Sequence, residues 1–237
     1  MQRDPIDDLD AWLAGPFGRV LLGAERIAVA AGLEHVFGNY CVQIGHWGPA
    51  DAFLPLARTP RRALIAEPDA QGDALSHPAA LALLSQSVDA VLLPHTLEFE
   101  PEPHEVLREV ERILVGEGHL LVLGFEPAGS WALRHYCSRH GFPPGLARTL
   151  SRGRLRDWLR LLGFEVLEVR RFLQVPPIAG LESGRFARAV ETLGARLDGA
   201  GGSAYLLKAR KRVYALTPLH PRRRRARALS GALAEPT

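Results

Sequence analysis

The chain has 237 residues, 47% apolar and 23% charged, a composition that excludes disordered and collagen-like proteins and lets one α/β domain with short additions bury a sizeable core. No uninterrupted apolar run reaches bilayer length, and the start Met1-Gln2-Arg3-Asp4-Pro5-Ile6-Asp7-Asp8 is not that of a secretory signal, so a cytoplasmic location is expected. The net charge of +3 divides unevenly: from Lys208 onward nine basic residues face one acid, Glu235, so a mildly acidic body carries a basic tail.

Residues Asp10 to Phe37 predict a helical segment broken at Gly15-Pro16, with Val20, Leu21, Ala24, Ile27, Ala28 and Ala31 on a core-facing stripe. Gly38-Asn39 ends it. Tyr40 to Gly45 predicts a strand, and Arg62 to Ala66 a second one that ends at Glu67. A third strand is weakly written. Leu75 to Leu84 is rich in Ala and Leu and fits either an apolar slot or a core helix, which periodicity does not separate.

Ser87 to Leu93 is nearly continuously apolar, the pattern of a strand buried on both faces. Pro101 and Pro103 prepare a helix whose Val106, Leu107, Val110, Ile113 and Leu114 share one face. Gly116-Glu117-Gly118 predicts a left-handed helix end, and His119 to Phe125 a second buried strand. Strand, helix and strand make a right-handed βαβ crossover, which implies further parallel strands.

After Pro127 the chain leaves the sheet for Trp131 to Thr149, with His135, Tyr136, Cys137 and His140 on a helix that Gly141 to Gly145 breaks. His135, Cys137 and His140 lack the i, i+4 spacing of a helical metal pair, so no metal site is expected, and Cys41 and Cys137 read as reduced thiols. Ser151 can cap the next helix, which buries Leu155, Trp158, Leu159 and Leu162 and stops at Gly163. Phe164 to Val169 is a strand, Leu173 to Ala179 a Pro-containing loop, Gly184 to Leu197 a helix, and Ala204 to Arg210 the last strand.

The runs Val88-Asp89, His95-Thr96-Leu97-Glu98, Leu107 to Leu114 and Gly116 to Gly118, with Leu159 and Gly163-Phe164-Glu165-Val166 later, resemble the class I (type 11) S-adenosylmethionine-dependent methyltransferases. The resemblance implies a doubly wound, mostly parallel seven-stranded α/β sheet with an antiparallel last strand. It divides the chain into a helical lid (1–37), a methyltransferase-like domain (38–213) with a helical insertion (128–150), and a basic, disordered tail (214–237). It also implies S-adenosylmethionine (SAM) as cofactor. Gly45 then takes the first glycine of the cofactor loop, with Gln43 in place of the acid that often holds the amino group. Glu67 is the ribose acid, His77 stands at the adenine-side position, and Leu93, at the end of its strand, is a further cofactor-binding position.

In this resemblance the glycine motif is degenerate: Trp47 and Pro49 occupy its second and third positions, and Gly48 is out of register. An indole there must either fill the pocket or reroute the loop. His95, at the carboxyl edge where open α/β sheets bind ligands, is the candidate to deprotonate or orient a methyl acceptor; the alternative is a turn histidine bonded to backbone. Trp131, His135, Tyr136 and His140 would line the acceptor pocket. Trp12 is either part of the lid or a packing residue.

The leading expectation is a SAM-dependent methyltransferase with an unidentified small-molecule or macromolecular acceptor. A second is a non-catalytic binding or regulatory module on the same scaffold, with Trp47 filling the old cleft. The basic tail allows a third, a weak contact with nucleic acid through Arg222 to Arg225 and Arg227. A nicotinamide dehydrogenase is disfavoured because no Gly-x-Gly-x-x-Gly follows a strand.

Overall fold

The structure is a computed structural model that describes residues 5–68, 70–138, 141–178 and 202–213. The predicted helix Gly184 to Leu197, His140 and the basic tail lie outside the described residues. Among the described residues no helix is long and apolar enough to cross a membrane.

Seven strands form one sheet in the order β3-β2-β1-β4-β5-β7-β6. They are β1 Tyr40–Ile44, β2 Arg61–Ala66, β3 Ala74–Leu75, β4 Val88–Pro94, β5 Leu114–Phe125, β6 Phe164–Phe172 and β7 Ala204–Lys211. The first five are parallel, and β7 inserts antiparallel between β5 and β6. Alternation along each inner strand sends side chains to two layers. Cys41, Leu92, Leu121 and Leu206 enter one core; Val42, Ile44, Val91, Leu93, Leu120 and Leu207 enter the other.

Two helices, α1 (Pro5–Leu13) and α2 (Pro16–Leu33), cover the first layer. The break at Gly15-Pro16 falls where the sequence placed it. Helix α2 lies close on the sheet because Gly32 has no side chain: a Cβ there would stand 2.8 Å from Leu206 and 2.9 Å from Leu121. The short α3 (Thr96–Phe99) and α4 (Pro103–Ile113) follow β4. Helix α4 packs Val106, Leu107, Val110 and Ile113 into the second layer beside Leu155 and Leu159 of α6 (Arg152–Leu161). Ser151 caps α6 as expected, its hydroxyl accepting from the Arg154 N–H at 3.3 Å.

Two expectations are corrected. Helix α4 does not end in a left-handed glycine: Leu114 is already extended, and β5 begins there. The Gly116-Glu117-Gly118 stretch is an irregularity inside β5, between the pairs Val88–Leu114 and Ala90–His119, with Glu117 itself at φ +65°. Residues 76–87 form neither a helix nor an enclosed slot, since Leu81 is buried but Leu84 is 80% exposed. The chain passes from β2 to β3 without a helix. Asp73 closes that short connection, accepting from the Leu64 N–H at 2.8 Å while its own N–H donates to the Leu64 carbonyl at 2.9 Å.

Candidate cofactor and acceptor site

Neighbours β1 and β4 leave in opposite directions along the sheet order, and the crevice above their carboxyl ends is where such sheets bind ligands. Gly45 opens the loop there with φ +91°. A Cβ at Gly45 would come within 2.6 Å of the Thr96 hydroxyl, which donates to the Ile44 carbonyl at 2.6 Å. The missing side chain therefore serves the contact between the β1 and β4 loops.

Gln43 is buried one turn of the pleat below. Its Nε2 donates to the Gly45 carbonyl at 3.2 Å, which fixes the amide, because the flipped form would face oxygen with oxygen. Its Oε1 is buried and has no hydrogen-bond partner among the described residues. An orphaned buried acceptor costs about 1–3 kcal/mol and asks for a donor from outside the chain.

The Trp47 indole is turned inward, 1% exposed, and donates to Glu25 Oε2 at 2.8 Å. Gly48 makes the reroute possible at φ +67°, packed against Leu22 and Leu13. The ring stacks at 4.3 Å on His95 and meets Phe99 edge-on at 5.9 Å.

His95, at φ +58°, is fully buried. Its Nε2 lies 2.7 Å from Glu25 Oε1 and its Nδ1 2.7 Å from Glu98 Oε2. A neutral imidazole has one N–H, so two carboxylate contacts require an extra proton within the group. Burial alone would lower the His95 pKa, but the charges and hydrogen bonds of Glu25 and Glu98 outweigh it and raise it to about 9. Burial pushes Glu98 up as well, against the donors around it. Glu98 Oε1 accepts from the Phe125 N–H at 2.9 Å and the Leu150 N–H at 3.1 Å. One buried carboxylate thus ties the β4 loop to the end of β5 and to the segment before α6, while Glu25 ties the same histidine to α2 and the glycine loop. The ring expected to face an acceptor has both nitrogens engaged inside the protein.

Glu67 is exposed at the end of β2. Its charge acts on Glu100, which is 4% exposed and whose pKa rises to about 7, chiefly from burial and then from the Glu67 charge. His77 Nε2 lies 4.0 Å from Glu100 Oε2, and its Nδ1 accepts from the Ala79 N–H at 3.1 Å. Two of the expected cofactor positions, Glu67 and His77, therefore meet around an acid that sequence reasoning missed. Leu93 is fully buried in the opposite layer.

Beyond β5, α5 (Ser130–Cys137) brings Trp131 into a wall of rings. Trp131 is buried, donates to the Val175 carbonyl at 2.9 Å and stacks at 6.3 Å on Phe125. Trp12 of α1 packs edge-on against Trp131 at 6.3 Å and Phe142 at 5.1 Å, so the N-terminal helices and the insertion meet in a shared aromatic cluster. His135 Nδ1 accepts from the Phe142 N–H at 3.1 Å, and burial lowers its pKa. Tyr136 is exposed and bonds Thr149 at 2.7 Å.

Glu25 also went unnoticed in the sequence, though it left a trace: it falls between Leu21 and Ala28 on the apolar stripe of α2.

This site stands on the fold of the class I methyltransferases. Residues 52–122, from just past the glycine loop to β5, match the family described as "Methyltransferase domain". The uncharacterized protein YafS of Escherichia coli K12 is 29% identical over 70% of this chain and 70% of its own length. Among solved structures, the Haloferax volcanii chain crystallised with the Trm112 methyltransferase activator superposes with TM-score 0.59 at 19% identity, over 90% of this chain and all of that one. A SAM-dependent methyltransferase of Archaeoglobus fulgidus gives 0.55 at 16% identity, over 78% and 94%.

Proposed function

We propose that the chain is a SAM-dependent methyltransferase, with Gln43, Gly45 and Glu67 as its principal cofactor residues and His77 and Glu100 beside them. The orphaned Oε1 of Gln43 carries this reading. It is an acceptor held rigid next to a left-handed glycine at the switch point, where a cofactor's ammonium group would complete it. The donor set fits the rest of the nucleoside: the exposed Glu67 carboxylate suits a pair of ribose hydroxyls. When bound, SAM supplies an electrophilic methyl group on a sulfonium. The protein's part is alignment and exclusion of water, which can supply much of the acceleration of an in-line transfer.

In this reading His95 acts from beneath the site. Held between Glu25 and Glu98, it fixes the loop after β4 against the loop after β1, so that Thr96, Gly45 and Gln43 keep one geometry. Leu93 supports the floor from the far layer. The test is a thermal-shift and calorimetric titration with SAM and S-adenosylhomocysteine. A bound nucleoside in excess raises Tm, by about 2.7 kcal/mol of stabilisation at a hundred times Kd. Gln43→Met should abolish most of that shift while changing the stability of the unliganded protein by no more than about 1 kcal/mol, since the orphaned acceptor goes but so does the donor to the Gly45 carbonyl.

The buried Trp47 favours one other reading, a scaffold that has closed its cleft and binds no nucleoside. No response to millimolar SAM or S-adenosylhomocysteine would establish it and end the enzyme reading.

A further inference from the structure

His46 stands between Gly45 and Trp47, in the loop that the proposed cofactor would approach, and no part of the function above uses it. Its Nε2 lies 2.8 Å from Asp10 Oδ1, joining the loop to α1. A carboxylate can only accept, so in the neutral imidazole Nε2 carries the proton and Nδ1 is left with a lone pair. That Nδ1 is buried and has no hydrogen-bond partner among the described residues. The imidazole is mostly enclosed, 18% exposed, whereas Asp10 is 45% exposed and stays solvated. A histidine whose far nitrogen is held by a carboxylate, with its near nitrogen unsatisfied, has the arrangement of a general base and its orienting partner.

We infer that His46 is the proton acceptor of the methyl transfer, oriented by Asp10, and that the acceptor substrate bears a protic heteroatom, a hydroxyl or an amine. This rests on the methyltransferase reading. The acceptor's oxygen or nitrogen forms a bond to the methyl carbon, the carbon–sulfur bond breaks with its electron pair passing to sulfur, and the acceptor's proton moves to His46 Nδ1. The resulting imidazolium is stabilised by the Asp10 carboxylate. A substrate that reacts already ionised, such as a carboxylate, would need no such base. His95, with both nitrogens occupied, offers no comparable lone pair.

The test is side-chain nitrogen NMR on the full chain saturated with S-adenosylhomocysteine, titrated with phenol as a simple protic probe. The expected result is a His46 ring protonated at Nε2 and bare at Nδ1, with phenol perturbing Nδ1 selectively. In Asp10→Asn the fixed tautomer is lost and the phenol response falls, while the thermal shift with S-adenosylhomocysteine persists. A proton on Nδ1, or a Nδ1 resonance that ignores phenol in the wild-type complex, overturns the assignment and leaves His46–Asp10 as a structural tie that only lowers Tm when cut. Failure of S-adenosylhomocysteine to shift the wild-type Tm is a different result: it removes the cofactor reading, and this inference with it.

Discussion

The buried His95 should make the protein lose stability in mild alkali. Its pKa rises from an ordinary 6.5 to about 9, because Glu25 and Glu98 overcome the penalty of burial. The folded state therefore holds the proton more tightly than the unfolded chain. That contribution is fully present below pH 6.5 and is lost as pH rises through 9. Linkage gives a loss of about 2 kcal/mol between pH 7 and pH 9, or a fall in Tm of roughly 4–8 °C for a chain of this size. Glu100, raised to about 7, has lost most of its own contribution by the lower edge, and Cys41, raised from 9.0 to about 11, begins to titrate only at the upper one; Glu98, whose carboxyl burial also raises, belongs to the same cluster and changes stability in the same direction as His95. Urea unfolding at pH 7, 8 and 9 reads the effect as a falling midpoint at constant slope. His95→Gln should flatten the pH dependence but cost about 3–5 kcal/mol outright, because it strips the positive charge from two buried carboxylates. If that variant does not fold, Glu25→Gln serves, since it removes one of the carboxylates that raise the pKa and so reduces the slope. A wild-type midpoint that is flat from pH 7 to 9, or a variant with an unchanged slope, would refute the ionised-histidine assignment.

Trp47→Phe keeps the ring stack on His95 but deletes the N–H that serves Glu25; a loss of about 1–3 kcal/mol is expected in urea unfolding at pH 7. Gly45→Ala meets both the left-handed backbone and the Thr96 hydroxyl at 2.6 Å, and should lower stability by about 1–3 kcal/mol, read as Tm. Glu67→Gln removes the like charge beside Glu100, so the Glu100 pKa falls. Since a raised carboxyl pKa contributes stability at acid pH that is lost as pH rises from 4.5 to about 7, the slope of Tm against pH in that window should shrink.

The later half of the fold was legible because its signals are local. Continuous apolar runs marked β4 and β5, a single amphipathic stripe marked α4, and Ser151 marked the start of α6. The β2–β3 connection was not legible. Its two-residue strand is held by the Asp73 carboxylate bonding back to Leu64, a contact with no periodicity to read. At the site, the family resemblance placed Gly45 and Glu67 just past strand ends, and β1 and β2 do end at Ile44 and Ala66. The burial of His95 was not legible, because it depends on acids 70 residues before it and three after it arriving at opposite ring nitrogens. Trp47 shows the same limit: the sequence posed the choice between a filled pocket and a rerouted loop, but the partner of the indole, Glu25, is fixed only by how α2 lies on the sheet.

The Glu98 carboxylate decides which walls of the crevice are braced against one another. Because it clamps the ends of β4 and β5 and the chain before α6 to one another, the floor and the rear of the crevice form a single block that resists flexing. The opposite wall is tied differently: α1, which meets α2 at Gly15-Pro16, is held by the Asp10–His46 bond and the Trp12 edge contacts. Cutting the Asp10–His46 bond should therefore free α1 while leaving the block behind it rigid.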